Sequence, residues 1–260
     1  MIKALKNTAK YLLIAAIWVA IWQICAIYVG EELLFPKPLT VLSRLFELMK
    51  TLDFYKTVWQ SLFRIIIGMA IGTLIGTLGG VLTAFLSAAK AFFAPILAIV
   101  KSTPVASFIL LLVLWMDRDK TTLVIAAMMV VPVVWTNVEI GIISTDRSLL
   151  EMGKAYKMSL ASRIFKIYLP SVVPYFFASL RSSLGMAWKA GIAAEVLLQP
   201  TIAIGKMIFS SKLMLETTDL FAWTAVVIIL SVIIEKTTLA LLRLILKKYS
   251  LNAGGGGYIG

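Results

Sequence analysis

Six long apolar runs, separated by short polar connections, set the pattern of this chain. They lie at about Tyr11–Val29, Ile65–Phe85, Phe92–Trp115, Thr121–Ile143, Tyr175–Leu198 and Leu220–Ile234. A run of roughly 18 or more apolar residues is long enough to cross a bilayer as a helix. The pattern therefore predicts an all-α polytopic membrane protein with six transmembrane helices. The last run continues toward Leu246 as an amphipathic extension, "KTTLALLRLILKKY". The expected organisation is an N-terminal segment and first span (1–30), an extracytoplasmic segment (31–64), a five-helix core (65–246) and a C-terminal tail (247–260). The tail, "NAGGGGYIG", reads as a flexible glycine segment.

Three stretches depart from plain apolar runs. After the first span, Pro36 and Pro38 predict an extended approach, followed by an amphipathic helix capped by Thr40 and carrying Val41, Leu42, Leu45, Phe46 and Met49. In the second run, Gly68, Gly72, Gly76 and Gly80 recur every fourth residue. That spacing places them on one helix face, where a second helix can approach closely. Between the fourth and fifth runs lies the segment 146–174, "DRSLLEMGKAYKMSLASRIFKIYLPSVVP". Ser148 and Glu151 have capping-box spacing for a helix start. Leu149, Leu150, Met152 and Tyr156 give that helix an apolar ridge, while Lys154 and Lys157 stay wet. "MSLAS" breaks it, and a second short helix, "RIFKIYL", is expected to end at Pro170. Such a hairpin, apolar along one ridge and basic around it, suits insertion into a groove of a soluble partner.

Composition agrees with a membrane protein: 60% of the 260 residues are hydrophobic. The formal charge of +12 invites comparison with nucleic-acid binding, but its distribution points to lipid. Lys3, Lys6, Lys10, Lys90, Arg147, the hairpin cations and Arg243, Lys247 and Lys248 fall on one side, opposed there only by Asp146 and Glu151. On the other side Glu31, Glu32, Glu47, Asp53, Asp117, Asp119, Glu216 and Asp219 nearly balance the bases. Positive residues favour the cytoplasmic side, beside anionic lipid. Both termini and the hairpin are therefore expected in the cytoplasm, and no nucleic-acid partner is implied. The basic N-terminus before an apolar run is similar to a signal peptide, but the run is long and no A-x-A site follows, so it reads as a retained span. The lone Cys25 excludes an internal disulfide framework, and the absence of histidine removes imidazole metal ligands and general bases.

The hairpin resembles the EAA loop of type I ABC-importer permeases. Glu151 takes the glutamate position, Gly153 a small-residue position, and Ile167, Leu169 and Pro170 the "IYLP" ending. Met152 stands where the family has alanine, and Lys157 where it has glycine. "LFPKPLTVLSRLFEL", "SLFRIIIGMAIGTLIGTLGGVL", "PILAIVKSTPVASFILLLVLWM" and "SLRSSLGMAWKAGIAAEVL" are similar to successive blocks of the nitrate/sulfonate/taurine subfamily. The resemblance implies a MetI-like fold and an alternating-access pathway. Its implied partners are a second permease chain in a homodimer, two cytoplasmic ABC ATPases that bind ATP and Mg, and an extracytoplasmic substrate-binding protein. It also implies a prokaryotic inner membrane and a small solute: nitrate, a sulfonate, taurine or a vitamin precursor. ATPase-docking residues would be Glu151, Gly153, Lys154, Ala155, Lys157, Met158, Ile167, Leu169 and Pro170.

Polar residues within the runs are candidates for a pathway lining, because intramembrane charge is costly and usually faces the bundle interior or water. They are Lys101, Ser102, Thr103 and Pro104 in the third run, Asn137 and Glu139 in the fourth, and Arg181, Ser182, Lys189 and Glu195 in the fifth. Two readings stand for each of three lysine and arginine positions. Lys101 snorkels or lines the pathway. Arg181 meets lipid phosphate or lines the pathway. Lys189 pairs with Glu139 or offers positive charge to an anion. Glu235 and Lys236 are expected to mark the cytoplasmic edge of the last span. The chain has no G-x-x-x-x-G-K-[ST] loop, so ATP hydrolysis and cofactors are expected in a partner. An ion-coupled secondary transporter is the alternative; it would call for inverted repeats with broken helices in matching halves, and none is apparent.

Overall fold

The structure, a computed structural model, describes residues 2–252, with side chains from residue 13 to 241 and those of Lys10 and Leu244. The glycine tail and the side chains of Lys3, Lys6, Arg243, Lys247 and Lys248 lie outside the described residues. Among the described residues eleven α-helices follow one another: α1 (Ile2–Val29), α2 (Pro38–Met49), α3 (Leu52–Phe85), α4 (Ser87–Ser102), α5 (Val105–Leu112), α6 (Arg118–Ile143), α7 (Arg147–Ala155), α8 (Leu160–Arg163), α9 (Leu169–Leu198), α10 (Ile204–Leu213) and α11 (Thr217–Asn252). A π-helical turn, Ile164–Tyr168, joins α8 to α9. The chain is all-α among the described residues.

Helices α3, α6 and the Thr217–Leu241 part of α11 are long and apolar enough to cross a membrane. The expected third span is not one straight helix. It is the pair α4 and α5, bent by 103° at Thr103 and Pro104. Proline has no amide hydrogen and disfavours helical geometry in the residue before it, so the ladder stops there. Leu13–Val29 of α1 is apolar over a shorter length. Helix α9 would reach about 45 Å at 1.5 Å per residue, but it carries Arg181, Lys189 and Glu195.

Helix α6 is the centre of the bundle and packs against both α3 and α9. The glycine stripe of α3 explains the first contact. A Cβ added at Gly72 would sit 2.5 Å from the Ala127 carbonyl oxygen, and one at Gly80 2.6 Å from that of Trp135. Gly68 and Gly76 meet the Leu123 and Val131 carbonyls in the same way. Two backbones lie together without intervening side chains, which is close packing within one subunit. The valines that the glycines meet, Val130, Val134 and Val138, also cluster with Ile142, with Ala187 of α9 and with Val172 and Phe176, so one stretch of α6 serves both neighbours.

Two helix starts differ from expectation. Helix α2 begins at Pro38, with Lys37 before it and no side-chain cap. Proline fits the first helical position because its amide would be unpaired there, so Thr40 is not the cap. Helix α3 begins at Leu52, not near Ile65; the Thr51 hydroxyl accepts the Phe54 amide at 3.3 Å. The helix thus crosses the expected boundary at 64 without a break. Helix α10, between the fifth and sixth runs, has a pattern too short and too polar to stand out in the sequence.

Candidate functional site

The hairpin between α6 and α9 is capped at its start, closed by a hydrogen-bonded turn and continuous with α9. Asp146, not Ser148, caps α7: its carboxylate accepts the Ser148 amide at 2.8 Å and the Ser148 hydroxyl at 2.7 Å. These hydrogen bonds hold the Asp146 carboxyl below its ordinary range. Glu151 is exposed one turn further on and caps nothing. The helix ends in a Schellman turn: the Met158 amide donates to the Gly153 carbonyl at 2.9 Å, and the Lys157 amide to that of Lys154 at 2.9 Å. Lys157 takes a left-handed φ of 49°. The family glycine position is thus kept in backbone shape, though not in residue type.

Pro170 does not end the second half of the hairpin. The π turn widens the helix, the Leu169 amide reaching Ile164, and the chain continues from α8 into α9 with Pro170 in the first turn. The extra width accommodates a ring that would otherwise crowd the carbonyl four residues back. Gly153 is buried against this element; a Cβ there would sit 3.0 Å from Ile167 Cδ1. The two motif positions therefore meet, fastening α7 to the base of α9. Outward, the ridge of Leu149, Met152 and Tyr156 is exposed, Tyr156 by 79%. Lys154, Ala155, Lys157 and Pro170 are exposed around it, while Met158 and Leu169 are half-buried.

Within the bundle, Glu139 does not pair with Lys189. Its Oε1 lies 2.8 Å from Lys90 Nζ, and Oε2 accepts the Thr83 hydroxyl at 2.7 Å. Thr83 in turn accepts Trp135 Nε1 at 3.0 Å. Near the other end of α4, Lys101 Nζ donates to Thr136 Oγ1 at 2.9 Å, and Phe93 packs on Trp135 between the two lysines. Helix α4 has no buried residue of its own, so these contacts fix its position. Lys101, Ser102 and Pro104 are exposed at the bend and Thr103 is half-buried. Asn137 donates to the Val133 carbonyl at 2.8 Å.

Glu195 does not line an opening. It is fully buried, taking Arg64 Nη1 at 2.6 Å, the Ser61 hydroxyl at 2.8 Å and the Gly205 amide at 3.2 Å. Arg64 also pairs with Asp119, and the Ile204 amide donates to Ser61 Oγ at 2.9 Å. Four helices, α3, α6, α9 and α10, meet at this cluster, at the end of the bundle away from the hairpin. By contrast, Ser182 and Lys189 of α9 are exposed, with Met186 and Ala193 on the same face. Arg181 is exposed too. Among the described residues Lys189 has no carboxylate within 4.0 Å.

The family described as the binding-protein-dependent transport system inner membrane component matches residues 72–250. The chain belongs to this family. It is a membrane-spanning permease subunit of an ABC importer, with ATPase and binding-protein partners as that class of system requires. The permease is 28% identical over 242 residues to a protein named as an aliphatic sulfonates transport permease, SsuC, of Bacillus subtilis (strain 168), covering 92% of this chain and 86% of that one. It is 24% identical to the taurine transport system permease TauC of Escherichia coli (strain K12), covering 85% and 82%. It is 27% identical to the nitrate import permease NrtB of Synechococcus elongatus, covering 74% and 73%. A chain of the MetNI methionine ABC transporter, solved in inward-facing conformations, shares the fold with a TM-score of 0.63 at 15% identity, over 74% of the permease and 95% of that chain.

Several residues of the permease site carried no signal in sequence. By sequence Lys90 is one of the cations of the hairpin side, Asp146 one of the two acids opposing them and Asp119 one of the acids of the other side, while Arg64 stands out in no pattern. Only Asp146 was open to detection, since aspartate two residues before a serine at a helix start has cap chemistry.

Proposed function

We propose that two copies of this permease form a two-fold dimer in a prokaryotic inner membrane, with both termini and the hairpin in the cytoplasm. Each α7 docks into a groove of one ABC ATPase, which binds ATP and Mg; this chain hydrolyses no ATP itself. The exposed ridge of Leu149, Met152 and Tyr156, backed by the Gly153–Ile167 contact, is the observation that carries this reading. Force applied to that ridge passes directly into α9, because α8, the π turn and α9 are continuous. The solute is a small molecule with an oxyanion group, an anion or a zwitterion such as taurine, handed over by the binding protein. Two features support this: the relatives named for sulfonates, taurine and nitrate, and the exposed, unpaired Lys189 on α9.

The test is a reconstituted complex with its ATPase and binding protein. Met152→Glu should insert normally and lose the ATPase on co-purification. Lys189→Met should keep the ATPase and lose anion uptake. Retention of the ATPase by Met152→Glu defeats the docking reading, and wild-type uptake by Lys189→Met defeats the anion reading.

A further inference from the structure

A small cavity between α9 and α11 has a composition unlike the rest of the bundle. It measures about 120 Å³ and is lined by Arg181, Ser182, Gly185 and Trp188 of α9 and by Ser231 and Glu235 of α11, with Leu184 and Ile234 closing its apolar side. On α9 positions 181, 185 and 188 share one face, and on α11 positions 231 and 235 do so. Gly185 leaves the space open; a Cβ there would meet nothing within 4 Å. Arg181 and Glu235 face this space from opposite helices without a direct ion pair, and among the described residues neither has an opposite charge within 4.0 Å. At 1.5 Å per residue both sit about 26 Å from the far ends of their helices. That depth is near the hairpin-side edge of the hydrocarbon layer, at headgroup level.

At headgroup level an exposed guanidinium and an exposed carboxylate that do not pair with each other are open to charged groups from outside the chain. The gap is larger than one water needs, and two serine hydroxyls border it. Its charge pattern is positive on one wall and negative on the other. We propose that this cavity binds a small zwitterion, with an oxyanion on Arg181 and an ammonium on Glu235. Two sources carry this chemistry: a free aminosulfonate or amino acid, and the headgroup of an aminophospholipid. The free-ligand source rests on the reading that the solute bears an oxyanion group; the lipid source does not.

Binding is measured on the permease–ATPase complex, so failure of transport and failure of this site remain separate. In discs of phosphatidylglycerol alone, labelled taurine is compared with isethionate, which has a hydroxyl in place of the ammonium. In mixed discs, native mass spectrometry counts retained phosphatidylethanolamine. Loss of a charge-assisted contact should weaken binding about ten-fold or more. Glu235→Gln should lower taurine binding and leave isethionate unchanged if the ligand is free. It should lower retained phosphatidylethanolamine if the ligand is lipid. Arg181→Met should lower either ligand. If Glu235→Gln changes neither taurine binding nor lipid retention, the inference is overturned. If it reduces taurine and isethionate equally together with thermal stability, the pair is structural and the inference is again overturned.

Discussion

Lys90 at the start of α4 and Glu139 on α6 form an ion pair at 2.8 Å, the lysine 57% exposed and the carboxylate 14%. The pair joins an otherwise unburied helix to the centre of the bundle. Lys90→Met should strand the carboxylate with Thr83 alone, at a cost of about 1–3 kcal/mol. The double variant Lys90→Met/Glu139→Gln should recover most of that loss. Thermal unfolding of the purified permease checks this; an unstable double variant would show that the pair is not the cause.

The Arg64–Glu195 pair should matter more, because both groups are buried. Arg64→Met leaves Glu195 without its cation and is expected to cost ~3–5 kcal/mol. Glu195→Gln keeps a side-chain acceptor for Ser61 and Gly205 and should cost less. Comparative unfolding midpoints decide the order.

Gly72 faces backbone, so Gly72→Leu cannot be absorbed by a side-chain rotation. The helices must part, at roughly 1–3 kcal/mol or more. Leu74→Ala, on the exposed side of the same helix, should change stability little. Equal effects in an expression and melting assay would contradict the close α3–α6 approach.

Lys157 occupies a left-handed position that costs an L-residue roughly 1–2 kcal/mol. Lys157→Gly should therefore slow hydrogen exchange at the Met158 amide, or leave it unchanged, while Lys157→Val should speed it. If glycine loosens this turn, the Schellman assignment is wrong.

The Asp146 cap gives docking a pH dependence. Because its folded pKa is lowered, the cap contributes stability above the ordinary aspartate value and loses it as pH falls through the lower, folded value. ATPase association should be flat from neutral pH down to the aspartate range. Asp146→Ala should weaken association at neutral pH, whereas Glu151→Gln should leave the helix formed. Circular dichroism of the variants together with co-purification tests both statements.

The sequence by itself determined the membrane class, the run positions, the glycine face of α3 and the hairpin with its exposed ridge. Each of these is a periodic or local property, summed over many neighbouring residues, so it survives without knowledge of the packing. Tertiary structure alone decided which charges meet. Arg64 and Glu195 are 131 residues apart, and Thr83 and Glu139 are 56 apart; their pairing depends on how α3, α6 and α9 are rotated about their own axes. Gly141, two residues from Glu139, packs on Val172 and Tyr175 of α9, so Lys189, about 21 Å further along that helix at 1.5 Å per residue, is out of reach of Glu139 and Lys90 becomes its partner. The 103° bend at Pro104 and the passage of the chain through Pro170 follow the same rule. Proline removes one hydrogen bond wherever it stands, and the surrounding helices decide whether the chain turns or widens to continue.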